Sequence, residues 1–344
     1  MSKLNYYLLF VITITFTVIT LGAYVRLSHA GLGCPDWPGC YGFLVGVPDN
    51  ATEIANAEST YEGSIVDIAK AWKEMVHRYL AGFLGIFIFI ISYIFYRDNS
   101  DNIFKLSLLV SILVIFQAAL GMFTVTLQLQ PLIVMFHLVG GLTIITLLWL
   151  IFLRYNNLRY LSQIINQKLN ISYIQIKKLQ VFAFFTLAAL IIQIMLGGWT
   201  STNYAALACA DFPRCNNSWW PQMDFYSAFI VELATDLNYE FGRLDNPARV
   251  AIHFTHRIWA IFATFMIVLL SIFSYLTIKS SFQKILSLFL IFFLGVQILL
   301  GVLNIKLGLP ILVAVAHNGN AALLLMCLVT VSYTHLTLPT MFEV

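Results

Sequence analysis

The sequence predicts an all-α polytopic membrane protein whose eight transmembrane helices form two parallel-repeat four-helix bundles. Three observations predict it. The 344 residues are 60% hydrophobic and 10% charged, with a mean hydropathy of +0.85, too apolar for soluble domains. Eight runs reach the ~20 apolar residues that a span needs, at 5–25, 76–96, 105–125, 132–153, 180–200, 251–277, 284–304 and 311–331. Finally, QAALGMFTVTLQLQPLIVMFHLVGG from Gln117 returns 180 residues later as QILLGVLNIKLGLPILVAVAHNGN, so that Gln117 matches Gln297, Gly121 matches Gly301 and His137 matches His317.

The first run is longer than a signal-peptide core and leads directly into the rest of the chain, so it reads as a retained helix. It ends in GAYVRLSHAGLGCPDWPGCYG, where glycines, prolines and Asp36 require a tight excursion. After the fifth run comes GGWTSTNYAALACADFPRC, and Gly22 then matches Gly197 and Cys34 matches Cys209 at an offset of 175. The chain therefore divides into an N-terminal four-helix unit at 1–153, a basic linker at 154–179 and a C-terminal four-helix unit at 180–331. With an even number of helices per unit, the copies are parallel and related by an axis along the membrane normal. The tail at 332–344, VSYTHLTLPTMFEV from Val331 onward, lacks Lys and Arg and resembles a non-native extension, so His335 is discounted.

Lys3, Arg97, Lys105, Arg154, Arg159, Lys168, Lys177, Lys178, Lys279 and Lys284 fall on one side, which the positive-inside rule makes cytoplasmic, with both termini there. The loops at 26–73 and 201–249 then face outward. The net charge of +3 reflects this topology and gives no reason to expect a nucleic-acid partner. In the outer loops, Cys34 with Cys40 and Cys209 with Cys215 are spaced alike and read as two short-loop disulfides; metal ligation by the four is the competing reading. Cys327 reads as a buried free thiol. Trp37, Trp219 and Trp220 suit headgroup-level anchors.

The second span opens with KEMVHRYLAG, carrying Glu74, His77 and Arg78, and the sixth with IHFTHRIWA, carrying His253, His256 and Arg257. His77 and His256 are repeat mates, as are His137 and His317. All four begin outside-to-inside helices near their outer ends, hence at one depth. Ionisable groups inside a membrane are costly and mark function. Two imidazoles per four-helix unit suit bis-histidine ligation of a haem held in an apolar interior, against the blander alternative of satisfied core histidines. A single layer of ligands argues against a transmembrane electron relay.

The motifs GAYVRLS, CPDWPxC, ExxHR, MFHLVGG, HFTHR and AHNGNA, in this order over residues 5 to about 331, resemble the haem A synthase family in its cysteine-containing bacterial form. The resemblance implies an inner-membrane oxidoreductase that converts haem O to haem A, oxidising the C8 methyl stepwise to a formyl group, with haem b as cofactor. It implies His77 and His137 as ligands of the substrate haem iron, and His256 and His317 as ligands of haem b. Glu74, matched in the repeat by His253, is the implied catalytic carboxylate, by positioning and deprotonating water or by stabilising positive charge; a capping carboxylate is the alternative. Arg78, Arg257 and, more weakly, Arg26 are candidate partners of haem propionates, with interfacial snorkelling as the alternative. The Cys34–Cys40 pair is either a brace or a redox element. His29 reads as a solvated loop residue, and His253 as lying near haem b at most. Candidate partners beyond the lipid bilayer are haem O synthase, cytochrome oxidase assembly factors and a second copy of the chain. Two other classes compete: a two-haem quinol/cytochrome b-type electron-transfer protein, and a transporter with midplane sites.

Overall fold

The computed structural model describes residues 2–157, 173–231, 237–277 and 281–335. The expectations for Arg159, Lys168, Lys279 and the tail beyond His335 fall outside these residues. Among the described residues the regular elements are all helices: α1 Lys3–Leu27, α2 Ala51–Thr60, α3 Ile68–Arg97, α4 Asp101–Thr126, α5 Pro131–Tyr155, α6 Tyr173–Thr202, α7 Phe225–Phe229, α8 Asn246–Thr277, α9 Ser281–Lys306 and α10 Ile311–His335. Eight of these, all but α2 and α7, are long and apolar enough to cross a membrane.

The ends follow local chemistry. Ser2 caps α1 by accepting from Asn5 N, Asp67 caps α3 by accepting from Lys70 N, and α5 starts on Pro131 with the Gln130 side chain accepting from Ile133 N. Arg26, Arg97 and Arg154 lie in the last turns of α1, α3 and α5, where a cation faces the negative end of the helix dipole.

Helix α1 packs against α3 and α5, and α4 against the same two; α6 packs against α8 and α10, and α9 against those two. The two sets meet through α1 with α10 and through α5 with both α6 and α10. One apolar core, with Leu8, Ile88, Val110 and Ile145, lies within the first set, and another, with Ala183, Ile267, Leu290 and Leu328, within the second. Where lipid tails are as apolar as the side chains, close packing and interhelical hydrogen bonds hold helices together. Such bonds recur: Ser92 Oγ lies 2.8 Å from Ser111 Oγ between α3 and α4, and Ser287 Oγ donates at 3.0 Å to Ser274 Oγ between α9 and α8. Across the seam, Trp149 Nε1 donates to Thr330 Oγ1 at 2.7 Å.

The loops after α1 and α6 are copies of one another in backbone detail. Both hold a disulfide, Cys34–Cys40 and Cys209–Cys215, with Cα atoms 4.7 and 4.6 Å apart, so the cysteines are not free to serve as metal ligands. Each has a cis proline, after Trp37 and after Phe212, and a short bridge, Cys40 to Phe43 and Cys215 to Ser218. In each an aspartate closes the turn: Asp36 accepts from Tyr41 N and Gly42 N, and Asp211 from Asn216 N and Asn217 N. Those backbone donors hold the Asp211 carboxyl below its ordinary range.

Two elements differ from expectation. Helix α3 begins at Ile68, about two turns before the apolar run at 76, because Asp67 caps it and the charged Lys70, Lys73 and Glu74 do not interrupt a helix that has left the apolar layer. The polar α2, capped by Asn50 through Glu53 N, has no apolar run to announce it.

Candidate functional site

The four repeat-related histidines lie early in four helices that start from the disulfide-bearing end or from the matching turns. His77 follows Ile68, the start of α3, by nine residues, and His256 follows Asn246 by ten; His137 and His317 each lie six residues into α5 and α10. His77 and His137 belong to the first helix set, and His256 and His317 to the second. Each ring is half-buried, yet the Nδ1 atoms of His77, His137 and His317 are closed off from solvent without a hydrogen-bond partner. A buried polar atom left unpaired costs about 1–3 kcal/mol, so each of these nitrogens calls for a partner from outside the chain, a water, an ion or a ligand.

The two pairs differ in their neighbours. Gln193 Nε2 lies 3.2 Å from His256 Nδ1, and Gln297 Nε2 lies 3.2 Å from His317 Nε2. Asn320 Nδ2 donates to Gln297 Oε1 at 2.7 Å and fixes that amide. In the first set Gln117 instead donates to the His137 carbonyl oxygen at 2.5 Å, and its Oε1 has no partner, since Gly140 stands where the repeat has Asn320. A glutamine amide thus meets each ring of the second pair and neither ring of the first. The sequence aligned Gln117 with Gln297 but suggested no role, and Gln193 has Val18 as its mate, so no repeat marked it.

Above each pair lies a clamp between a helix and its disulfide loop. Glu74, 5% exposed, accepts from Arg78 Nη2 at 2.5 Å through Oε1 and from Cys34 N at 3.0 Å through Oε2. Arg78 Nη1 donates to the carbonyl oxygens of Asp36, at 2.9 Å, Pro38 and Gly39, all inside the Cys34–Cys40 loop. The second set repeats this with an imidazole in place of the carboxylate. Arg257 Nε donates to His253 Nε2 at 3.2 Å, Cys209 N approaches His253 Nδ1 at 3.4 Å, and the guanidinium also binds the carbonyls of Arg214 and Cys209. A neutral imidazole accepts at one nitrogen only, so His253 satisfies one of two donors where Glu74 satisfies both. Both arginines, candidates for haem propionates or for interfacial snorkelling, divide their hydrogen bonds between the loop carbonyls and a side chain of their own helix, Glu74 or His253.

Arg26 crosses between the sets: its Nη1 donates to Tyr204 Oη at 2.8 Å, its Nη2 to the Ser201 carbonyl at 3.1 Å, and its Nε is buried without a partner. His29 is exposed but stacks on Tyr204, ring centroids 5.9 Å apart, and lies 5.1 Å from Phe241. Desolvation by these neighbours, and then the Arg26 charge, hold its imidazole below the ordinary range, and His29 belongs to the junction of the loops. Cys327 is free, as expected.

The clamp yields one prediction. Arg78→Ala leaves the buried Glu74 carboxylate without its cation and three loop carbonyls without a donor, and breaking a buried pair from one side costs roughly 3–5 kcal/mol. The Cys34–Cys40 loop of that variant is expected to become reducible by mild thiol and open to protease, measured on folded protein in detergent; a loop as resistant as in the parent would contradict the assignment.

The comparisons agree with this architecture. Residues 5–329 match the COX15-CtaA family, described as Cytochrome oxidase assembly protein. The chain is 44% identical over 324 residues, 94% of both chains, to a protein named Heme A synthase from Shewanella oneidensis. It is 24% identical to the Heme A synthase of Ehrlichia ruminantium, over 89% of this chain and 86% of that one, and 23% identical to that of Neorickettsia sennetsu, over 91% and 93%. Eight membrane-length helices and a match running nearly end to end make this chain a member of the COX15-CtaA family of cytochrome oxidase assembly proteins.

Proposed function

We propose that this chain is a membrane oxidoreductase that converts haem O to haem A by stepwise oxidation of the C8 methyl to a formyl group. His77 and His137 hold the substrate haem in the N-terminal set, 1–153, and His256 and His317 hold haem b in the C-terminal set, 180–331. The observation that carries this reading is the asymmetry of two otherwise matching histidine pairs: only the first lies beneath a carboxylate, Glu74, where the second has His253. The residues suit the group, since three buried imidazole nitrogens lack a protein partner. Haem b, when bound, supplies a one-electron couple beside the substrate.

Glu74 is held by Arg78 and the Cys34 N–H with one lone pair of each oxygen engaged, which leaves lone pairs to orient a water and take its proton. The disulfide loop supports the carboxylate from above, so the role assigned to Cys34 and Cys40 is a brace. Gln193 and Gln297 border the rings of the second pair, and no glutamine amide borders either ring of the first. Arg26, whose Nε has no partner, is the donor assigned to a haem propionate; Arg78 and Arg257 would share donors that already hold the loops. The distribution of Lys and Arg supports a topology with both termini in the cytoplasm of a bacterial inner membrane and the disulfide loops outside. Haem O synthase is the natural supplier of the substrate and the assembling oxidase its consumer.

Co-expression with a source of haem O, then haem extraction and mass analysis, tests this reading. The formyl product is expected. Bound haem with rapid quinol oxidation and no modified haem would point instead to an electron-transfer cytochrome.

A further inference from the structure

Each of the four histidines faces a glycine on the membrane-spanning helix that precedes its own in the chain. A Cβ added at Gly22 of α1 would lie 3.0 Å from His77 Cε1; at Gly121 of α4, 3.4 Å from His137 Cε1; at Gly197 of α6, 3.2 Å from His256 Cε1; and at Gly301 of α9, 3.2 Å from His317 Cε1. For Gly121 and Gly301 the imidazole is all that lies within 4 Å, and for Gly22 and Gly197 the three nearest atoms all belong to the ring.

Backbone conformation does not call for glycine here. All four lie within helices and none has a positive φ, so each costs about 0.5–1 kcal/mol of helix stability relative to alanine. Four such costs at repeat-related positions, each opposite a histidine, need a common cause. By contrast Gly82 and Gly295, also helical, have nothing within 4 Å. A second observation points the same way in the first pair: the Nδ1 atoms of His77 and His137 are buried without a partner and no hydrogen bond holds either ring, so the glycine surface fixes their rotation.

We propose that Gly22, Gly121, Gly197 and Gly301 are positioning residues that set the depth and plane of the four axial imidazoles. This rests on the reading of the histidines as haem ligands. A contact of 3.0–3.4 Å is close enough that a methyl group would push the ring by a few tenths of an ångström. The relative orientation of two axial imidazole planes governs the anisotropy of a low-spin ferric haem, so the displacement has a spectroscopic signature of its own. Gly22 is the tightest seat: His77 presents Nε2 as its nearer nitrogen, at 3.4 Å, with all three nearest ring atoms within 3.7 Å, while the other three rings present Nδ1 as the nearer nitrogen. The first site is therefore the more sensitive to a methyl group.

The test uses full-length protein in detergent with Gly197→Ala, Gly301→Ala, Gly22→Ala and the control Gly82→Ala, read by haem content, ferric electron paramagnetic resonance and haemin titration. Gly197→Ala and Gly301→Ala are expected to retain the resident haem with altered g values, Gly22→Ala to bind added haemin about tenfold more weakly at the first site, and Gly82→Ala to match the parent. Parent-like g values in both C-terminal variants, or equal changes in Gly82→Ala, would overturn the proposal. His256→Ala, run in parallel, separates the two levels. If it keeps a low-spin haem at that site, the ligand reading itself fails; if it loses the haem while Gly197→Ala and Gly301→Ala keep parent-like g values, the ligand reading stands and the seats do not.

Discussion

Protein carrying Glu74→Gln is expected to bind haem as the parent does and to lose haem A formation by at least about 100-fold, the usual scale for removing a general base. The carboxylate accepts from Arg78 at one oxygen and from Cys34 N at the other. Glutamine keeps one acceptor and turns a donor toward the remaining partner, so it also loosens the clamp. Glu74→His gives the first set the residue that the second set has between Arg257 and Cys209 N, where an imidazole with one acceptor coexists with a closed disulfide loop. That variant is expected to keep its disulfide and yield no formyl product. Extracted haem analysed by mass decides the matter, and normal haem A from either variant would remove Glu74 from the chemistry.

His256→Ala is expected to strip the second site of its haem. Its ring meets the Gln193 amide at 3.2 Å, and alanine offers neither a ligand nor a polar group in its place. Haem quantified per chain should fall by one equivalent, whereas haemin binding to the His77 and His137 site should persist, because that pair belongs to a different helix set. Loss of both haems would mean that the sites are built as one, and loss of neither that His256 is no ligand.

Most of what positions these groups is legible in the chain itself. The spans are long apolar runs, and the four histidines stand out because ionisable residues are scarce inside them. The disulfides follow from two pairs with the same spacing in loops that repeat at an offset of 175, and the copies extend to the cis prolines and the aspartate turns. Loop-dependent contacts are not legible. Arg78 and Arg257 read as partners for anions because a cation beside a ligand invites one, but a folded loop turns several carbonyl oxygens inward, and only the folded backbone reveals that those need donors first. Arg26 bonds the carbonyl of Ser201, the residue that the repeat aligns with it, across a seam that no local pattern announces. The outward extension of α3 was hidden for a related reason: hydropathy stops where the apolar layer stops, and the helix does not.

Everything assigned to chemistry depends on four imidazoles acting as two axial pairs. Ferric electron paramagnetic resonance on the purified chain, loaded with haem O during expression and with haem counted on the same sample, examines that directly. Two six-coordinate low-spin haems per chain, both with bis-imidazole signatures, are the expected result. A single haem, or a wild-type spectrum dominated by five-coordinate high-spin iron, would contradict it.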